Sequence, residues 1–197
     1  MARKQERSSR DALIEAGLEV MLSGSYERAG LQEILARAKV PKGSFYHHFS
    51  SKEGFGLAVV GAYAEKVQAI FRRHLSDAQR APIERMSRLF KELEKRLVAE
   101  GCQGGCLMGS IAQEQADVSE AFRSHLQTLF AEQQELLANC LAEARDRGEL
   151  DRAADPQALA AFCVSAWQGA LLQMKLSRSP EPLKRFRTIV FGRLLAA

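Results

Sequence analysis

The chain has 197 residues, 46% of them hydrophobic and 26% charged, a balance that excludes a disordered or fibrous protein and leaves room for a small module plus a second unit with its own core. The formal charge of +4 is unevenly placed: residues 1–52 hold nine Lys/Arg against six Asp/Glu, whereas residues 53–197 hold nineteen against eighteen. A basic first quarter favours an acidic partner for that quarter.

Ala2–Asp11 is polar, and no long apolar run follows it, so no secretory signal is expected. Gln157–Met174 carries no charge, yet Gln157, Ser165, Gln168, Gly169 and Gln173 interrupt it and Lys175 and Arg178 abut it. It reads as a buried interface helix and not as a membrane span. Four cysteines without a signal point to free thiols in a reducing cytoplasm.

Apolar residues recur at threes and fours nearly throughout, which predicts an all-α chain of about nine helices. The first spans Ser8–Leu22, with Leu13, Ala16 and Val20 inward, and Ser23-Gly24-Ser25 ends it. A short helix follows over Leu31–Ala38. Lys39-Val40 turns the chain, and Pro41 opens the next helix because an N–H is not needed there. The product is a helix-turn-helix. A long helix over Ser51–Leu75 breaks near Ala81-Pro82, and a fifth runs over Ile83–Ala99. Gly101–Gly105 is a loop, Leu107–Gln115 a short helix, and Ser119–Arg147 a long one stopped by Gly148. Asp155 caps a helix that begins with Pro156 and reaches Arg178, and Glu181–Leu195 closes the chain. The division expected is residues 1–50 for the three-helix DNA-binding domain and 51–197 for sensing and dimerisation.

Residues 40–53 carry the most chemistry. Gly43 lets backbone approach a groove wall, and Lys42 and Ser44 flank it. Tyr46, His47, His48 and Lys52 offer donors for phosphates, and Lys52 stands at a helix start whose dipole favours anions. Phe45 and Phe49 lie four apart and are expected to face a small core with Ile34 and Leu35. A solvated helical hairpin around aromatics is the plainer alternative on spacing alone.

The run KGSFYHHFSSKE, near residue 45 of a helical chain of this length, resembles the recognition segment of TetR-family transcriptional regulators. That resemblance implies a homodimeric repressor on double-stranded operator DNA, contacted through Lys42, Gly43, Tyr46, His47, His48 and Lys52, with Ser44 beside them. One departure is Ala29-Gly30-Leu31, where many relatives place Thr or Ser before the second helix. VPKGSFYHHFSSKEGFGLAVV, GGCLMGSIAQEQADVSEAFR and LLQMKLSRSPEPL together resemble the branch of the family that holds NemR-like electrophile sensors and AcuR-like acrylate regulators.

In that branch the cysteine after the central glycines is the candidate sensor, and here it is Cys106. Its place at a helix start favours the thiolate, and Gly104, Gly105 and Gly109 leave room around it. Lys175, the first cation after eighteen uncharged residues, is a candidate partner. Inert packing is the alternative for Cys106, a solvated or interface lysine is the main reading for Lys175, and inert packing is the main reading for Cys140 and Cys163. For Cys102, on the loop, resolving an oxidised Cys106 is the lesser reading. No metal or cofactor is expected, because Cys102 and Cys106 have no second ligand pair nearby. Release by a small-molecule or electrophile inducer is the leading expectation, and reversible ligand binding with structural cysteines is the alternative. An enzyme with a Cys106 nucleophile would need a base such as His125 and would leave residues 40–53 unexplained. The last two helices, with Phe162, Trp167, Leu171, Phe186 and Val190, are the expected dimer face.

Overall fold

The computed structural model describes residues 8–195; the polar segment read against a signal therefore lies partly outside the described residues. Among these, nine α-helices follow one another and no strand occurs: α1 (Ser9–Ser23), α2 (Leu31–Ala38), α3 (Lys42–His48), α4 (Lys52–Leu75), α5 (Pro82–Ala99), α6 (Leu107–Gln115), α7 (Glu120–Asp146), α8 (Pro156–Ser177) and α9 (Glu181–Ile189). No helix among them is long and apolar enough to cross a membrane.

Side-chain caps set four of the nine helix starts. The hydroxyls of Ser8, Ser51 and Ser119 accept from the N–H groups of Asp11, Gly54 and Phe122 at 3.2, 2.9 and 3.1 Å. Asp155 accepts from Gln157 and Ala158, ahead of Pro156. These contacts satisfy N–H groups that have no partner inside the helix. Helix α5 ends where Gly101 takes φ +74°, with Cys102 N–H donating to Leu97 O at 2.9 Å and Gly101 N–H to Val98 O at 3.0 Å. Helix α9 departs from the sequence expectation. It stops at Ile189, and a π-helical turn over Val190–Leu194 follows, closed by Leu195 N–H to Val190 O at 2.8 Å. The wider turn places both Val190 and Leu195 on the core, each 1% exposed.

Two apolar clusters organise the molecule. The first gathers α1, Ile34 of α2, Phe45 and Phe49 around the early part of α4, then takes in α6 and the first half of α7. Ile34 and the two phenylalanines are buried as their spacing predicted, and Leu35 packs beside them half-buried. The second cluster joins the end of α4 to α5, the rest of α7, α8 and α9. Helix α4 thus feeds both: Phe55, Val59 and Val60 go to the first, Phe71 and Leu75 to the second.

Charged pairs fasten the second cluster at its edges. Arg85 is buried and donates to Glu143 at 2.7 Å and to the carbonyls of Arg80 and Leu75 at 2.9 and 3.2 Å, joining α4, α5 and α7. Glu92 receives Arg73 and His74 at 2.6 Å and Arg96 at 2.7 Å. Led by the His74 contact, these hold the Glu92 carboxyl down at about 2.

Candidate nucleic-acid interface and sensing cavity

The turn between α2 and α3 is made by Lys39 at φ 57° and by the Pro41 carbonyl, which accepts from the Ser44 N–H at 3.0 Å. Pro41 itself sits just before α3, one position earlier than its expected place inside the helix. With Phe45 and Phe49 buried, the opposite side of α3 carries Lys42, Gly43, Tyr46 and His47 into solvent. Lys42 Nζ lies 5.9 Å from the Tyr46 ring centre, and Tyr46 is 55% exposed. A Cβ at Gly43 would meet nothing within 4 Å, so nothing inside the protein requires glycine there. Ser44 is half-buried.

His48 and Lys52 are engaged within the protein. His48 Nε2 is 2.7 Å from Ser9 Oγ, which ties α3 to the start of α1. Lys52 Nζ donates to the Glu27 carbonyl at 2.8 Å and lies 5.1 Å over the Tyr26 ring. Its other donors remain outward, at the first turn of α4.

Cys106 is the residue just before α6, and no side chain caps that helix end. It is half-buried, whereas Cys102, Cys140 and Cys163 are buried, and all four are free thiols. Burial pushes the Cys140 and Cys163 thiols up to about 11. Cys102 is 4% exposed in a left-handed loop conformation, so the open loop thiol of the sequence reading is instead packed in the second cluster. Cys106 and Phe130 touch both apolar clusters.

Two cavities share Cys106, Gly105, Gln168 and Leu171 as walls. The larger, of about 600 Å³, lies between α4, α5, α7 and α8 and reaches Leu18 and Leu22 of α1. Tyr63, Lys66, Arg96 and Glu100 give it polar edges, and Trp167 an aromatic wall. Burial, then the neighbouring Cys106, raise the Tyr63 hydroxyl well above its ordinary range. The smaller cleft, of about 60 Å³, brings Lys175 to the same hollow as Cys106, with Ser110 and Gln113. A Cβ on Gly109 would come within 2.6 Å of Gln168 Oε1, so any side chain there would displace the Gln168 amide from the cleft. Trp167 lines the larger cavity, while Phe90, Met108 and Met174 are filled core. Leu18, Leu22, Tyr63 and Gln168 were missed; Gln168, a polar break in an apolar helix, was the available signal. His125 does not line either cavity with Cys106; its Nε2 lies 3.5 Å from the Cβ position of Gly61 on α4.

The expected dimer residues need correction. Trp167, Leu171, Phe186 and Val190 are each under 10% exposed within one chain, packed in the second cluster, where Trp167 meets Phe90 and Phe186 edge-on and Phe186 lies tilted against Phe90. The apolar side chains left in solvent on α8 and the end of the chain are Phe162, Leu172, Leu176, Ile189 and Leu194.

An outward basic and aromatic helix after a tight turn, followed by a hollow helical unit, defines a helix-turn-helix regulator of transcription. The family model described as "Bacterial regulatory proteins, tetR family" matches residues 13–59, and "Tetracyclin repressor-like, C-terminal domain" matches residues 82–190. The transcriptional repressor DhaR of Mycobacterium sp. strain GP1 is 37% identical over 94% of this chain and 92% of its own. The transcriptional regulator AcuR of Cereibacter sphaeroides is 38% identical over 92% and 83%. The crystal structure of the reduced form of Escherichia coli NemR superposes with a TM-score of 0.88 at 30% identity, covering 97% of this chain and 98% of the other. The chain belongs to the TetR family and is a DNA-binding transcriptional repressor of that family.

Proposed function

We propose that this repressor leaves its operator when the Cys106 thiol is modified by an electrophile or oxidant. The observation that carries the reading is the position of Cys106: the half-exposed thiol among four, on the shared wall of two cavities and at the seam of two cores. Thiolate sulfur adds to the β-carbon of an unsaturated carbonyl, the C=C pair moves toward the carbonyl, and the α-carbon takes a proton from solvent. The adduct then occupies space between the first cluster, which contains α3, and the second. Lys175 would hold a carboxylate or carbonyl in the small cleft. Residues 1–50 would form the DNA-binding unit, with Lys42, Gly43, Ser44, Tyr46, His47, His48 and Lys52 facing or supporting the DNA, and residues 51–197 the sensing and dimerisation unit. Two copies, joined through Phe162, Leu172, Leu176, Ile189 and Leu194, would place two α3 helices on half-sites of a palindrome. Such a protein works in the cytoplasm, where the chromosome is.

The test is a mobility-shift titration on the intergenic DNA beside its own gene, with N-ethylmaleimide or hypochlorite added. Wild type should dissociate, Cys106→Ser should stay bound, and mass spectrometry should find the first adduct on Cys106. Release of Cys106→Ser at the same dose would defeat the covalent reading.

The cavity of about 600 Å³ favours a second reading, reversible binding of an apolar ligand. Trp167 is the chain's single tryptophan and lines that cavity, so an occupant should change its emission. An inducer that releases DNA and shifts Trp167 emission in Cys106→Ser would establish this reading.

A further inference from the structure

The loop between α1 and α2 is held from three sides at one residue. The Glu27 N–H donates to Glu114 Oε2 at 3.0 Å, the Gln115 amide donates to Glu27 Oε1 at 2.7 Å, and the Glu27 carbonyl accepts Lys52 Nζ at 2.8 Å. Glu114 and Gln115 are the last two residues of α6, whose other end is Cys106. Gln115 is 6% exposed, so its amide has exchanged water for the Glu27 carboxylate. Next door, Tyr26 meets Phe122 edge-on at 4.9 Å, and Ser119 donates to Glu53 at 2.7 Å. Helix α6 is continuous over nine residues and roughly 13 Å long at the usual helical rise. Movement at its Cys106 end therefore reaches the Glu27 loop through charged hydrogen bonds, and these bonds also fix the first residue of α4.

We infer that Glu27 and Gln115 form a clamp that positions the DNA-binding helices and couples them to the state of the Cys106 end of α6. Both are positioning residues; neither is placed against DNA or inducer. The clamped arrangement is the operator-binding one. A two-state element biased from both ends is the physical requirement for such coupling. The coupling to Cys106 rests on the sensing reading above, but the clamp's effect on DNA binding does not.

The substitution Gln115→Glu sets carboxylate against carboxylate and opens the clamp. The unmodified variant should bind operator DNA at least about tenfold more weakly than wild type, since a like-charge contact replaces a charge-assisted bond. Its helix content, dimer formation and Cys106 labelling rate should match wild type. The double variant Glu27→Gln, Gln115→Glu re-forms the bond with the roles exchanged and should recover operator binding, which a purely local packing role would not yield. Should Gln115→Glu fail to fold, Gln115→Leu carries the test. It should also lose operator affinity, having no amide for the clamp, and need about tenfold more inducer to release what still binds, because a freed loop no longer follows α6. Wild-type affinity in Gln115→Glu, absence of rescue in the double variant, or a wild-type dose response in Gln115→Leu would each overturn the clamp. Failure of the sensing reading looks different: Cys106 modification would leave wild type bound, while Gln115→Glu still weakened reduced-state binding.

Discussion

At the scale of single residues, glycine separates internal from external demands. Gly56 lies where a Cβ would be 2.5 Å from Tyr26 Cε2 and 2.8 Å from Phe122 Cζ, whereas Gly43 has nothing near it. Gly56→Ala should therefore destabilise the fold by about 1–3 kcal/mol through overpacking, as read by denaturant titration. Gly43→Ala should leave stability unchanged or raise it by up to about 1 kcal/mol, because alanine is the better helix former. The same substitution should cut operator affinity by about tenfold if backbone approaches the groove there. Equal affinity would take Gly43 out of the interface. Lys52→Ala is expected to weaken binding to all sequences and to flatten the salt dependence by about one phosphate's worth. It also removes the donor to the Glu27 carbonyl, so part of its effect belongs to the clamp.

At the scale of elements, α4 and α5 are bound by Glu92, whose three cationic or hydrogen-bonding neighbours depress its carboxyl from 4.5 to about 2. A depressed carboxyl stabilises the folded chain above its unfolded value, and that contribution disappears as pH falls from about 4.5 toward about 2. Much of it is screened by solvent at this edge. Melting curves across that window should show wild type losing more than Glu92→Gln; parallel losses would mean the cluster adds nothing. Element bounds were largely legible in the sequence, because caps and breakers such as Ser51, Ser119, Asp155-Pro156 and Gly101 act locally. The end of α9 was not. Its π turn answers to the burial of Val190 and Leu195 together, a tertiary demand that a helical repeat does not encode.

At the scale of the whole molecule, Phe162, Leu172, Leu176, Ile189 and Leu194 are exposed apolar side chains, and the proposed dimer would cover them. Ile189→Glu, or Phe162→Glu, should give a folded monomer by light scattering at micromolar concentration, with operator binding lost. A dimer in both variants would place the interface elsewhere. Four of the five residues expected at that face, Trp167, Leu171, Phe186 and Val190, are covered within a single chain. Trp167 and Phe186 carry apolar surface of the right kind, yet Phe90 of α5 covers them, and a partner seventy or more residues away leaves no trace in local spacing. The same holds for the cavity. Cys106 and Lys175 were singled out by local setting and resemblance, while Tyr63, Gln168 and the Glu27–Gln115 bond exist only once α1, α4, α6 and α8 have met.

The seam between the two apolar clusters also bears on how the chain melts. Among the partly buried apolar side chains, Cys106 and Phe130 belong to both clusters, and α4 and α7 run through each. Cooperative unfolding of a domain requires that neither half be stable without the other, and such shared side chains supply that mutual dependence. A bulky adduct on Cys106 would prise at this joint and lower the interdependence of the halves. Unmodified protein should lose both clusters in one calorimetric transition, and alkylated protein should show two, with the cluster that contains α3 melting first.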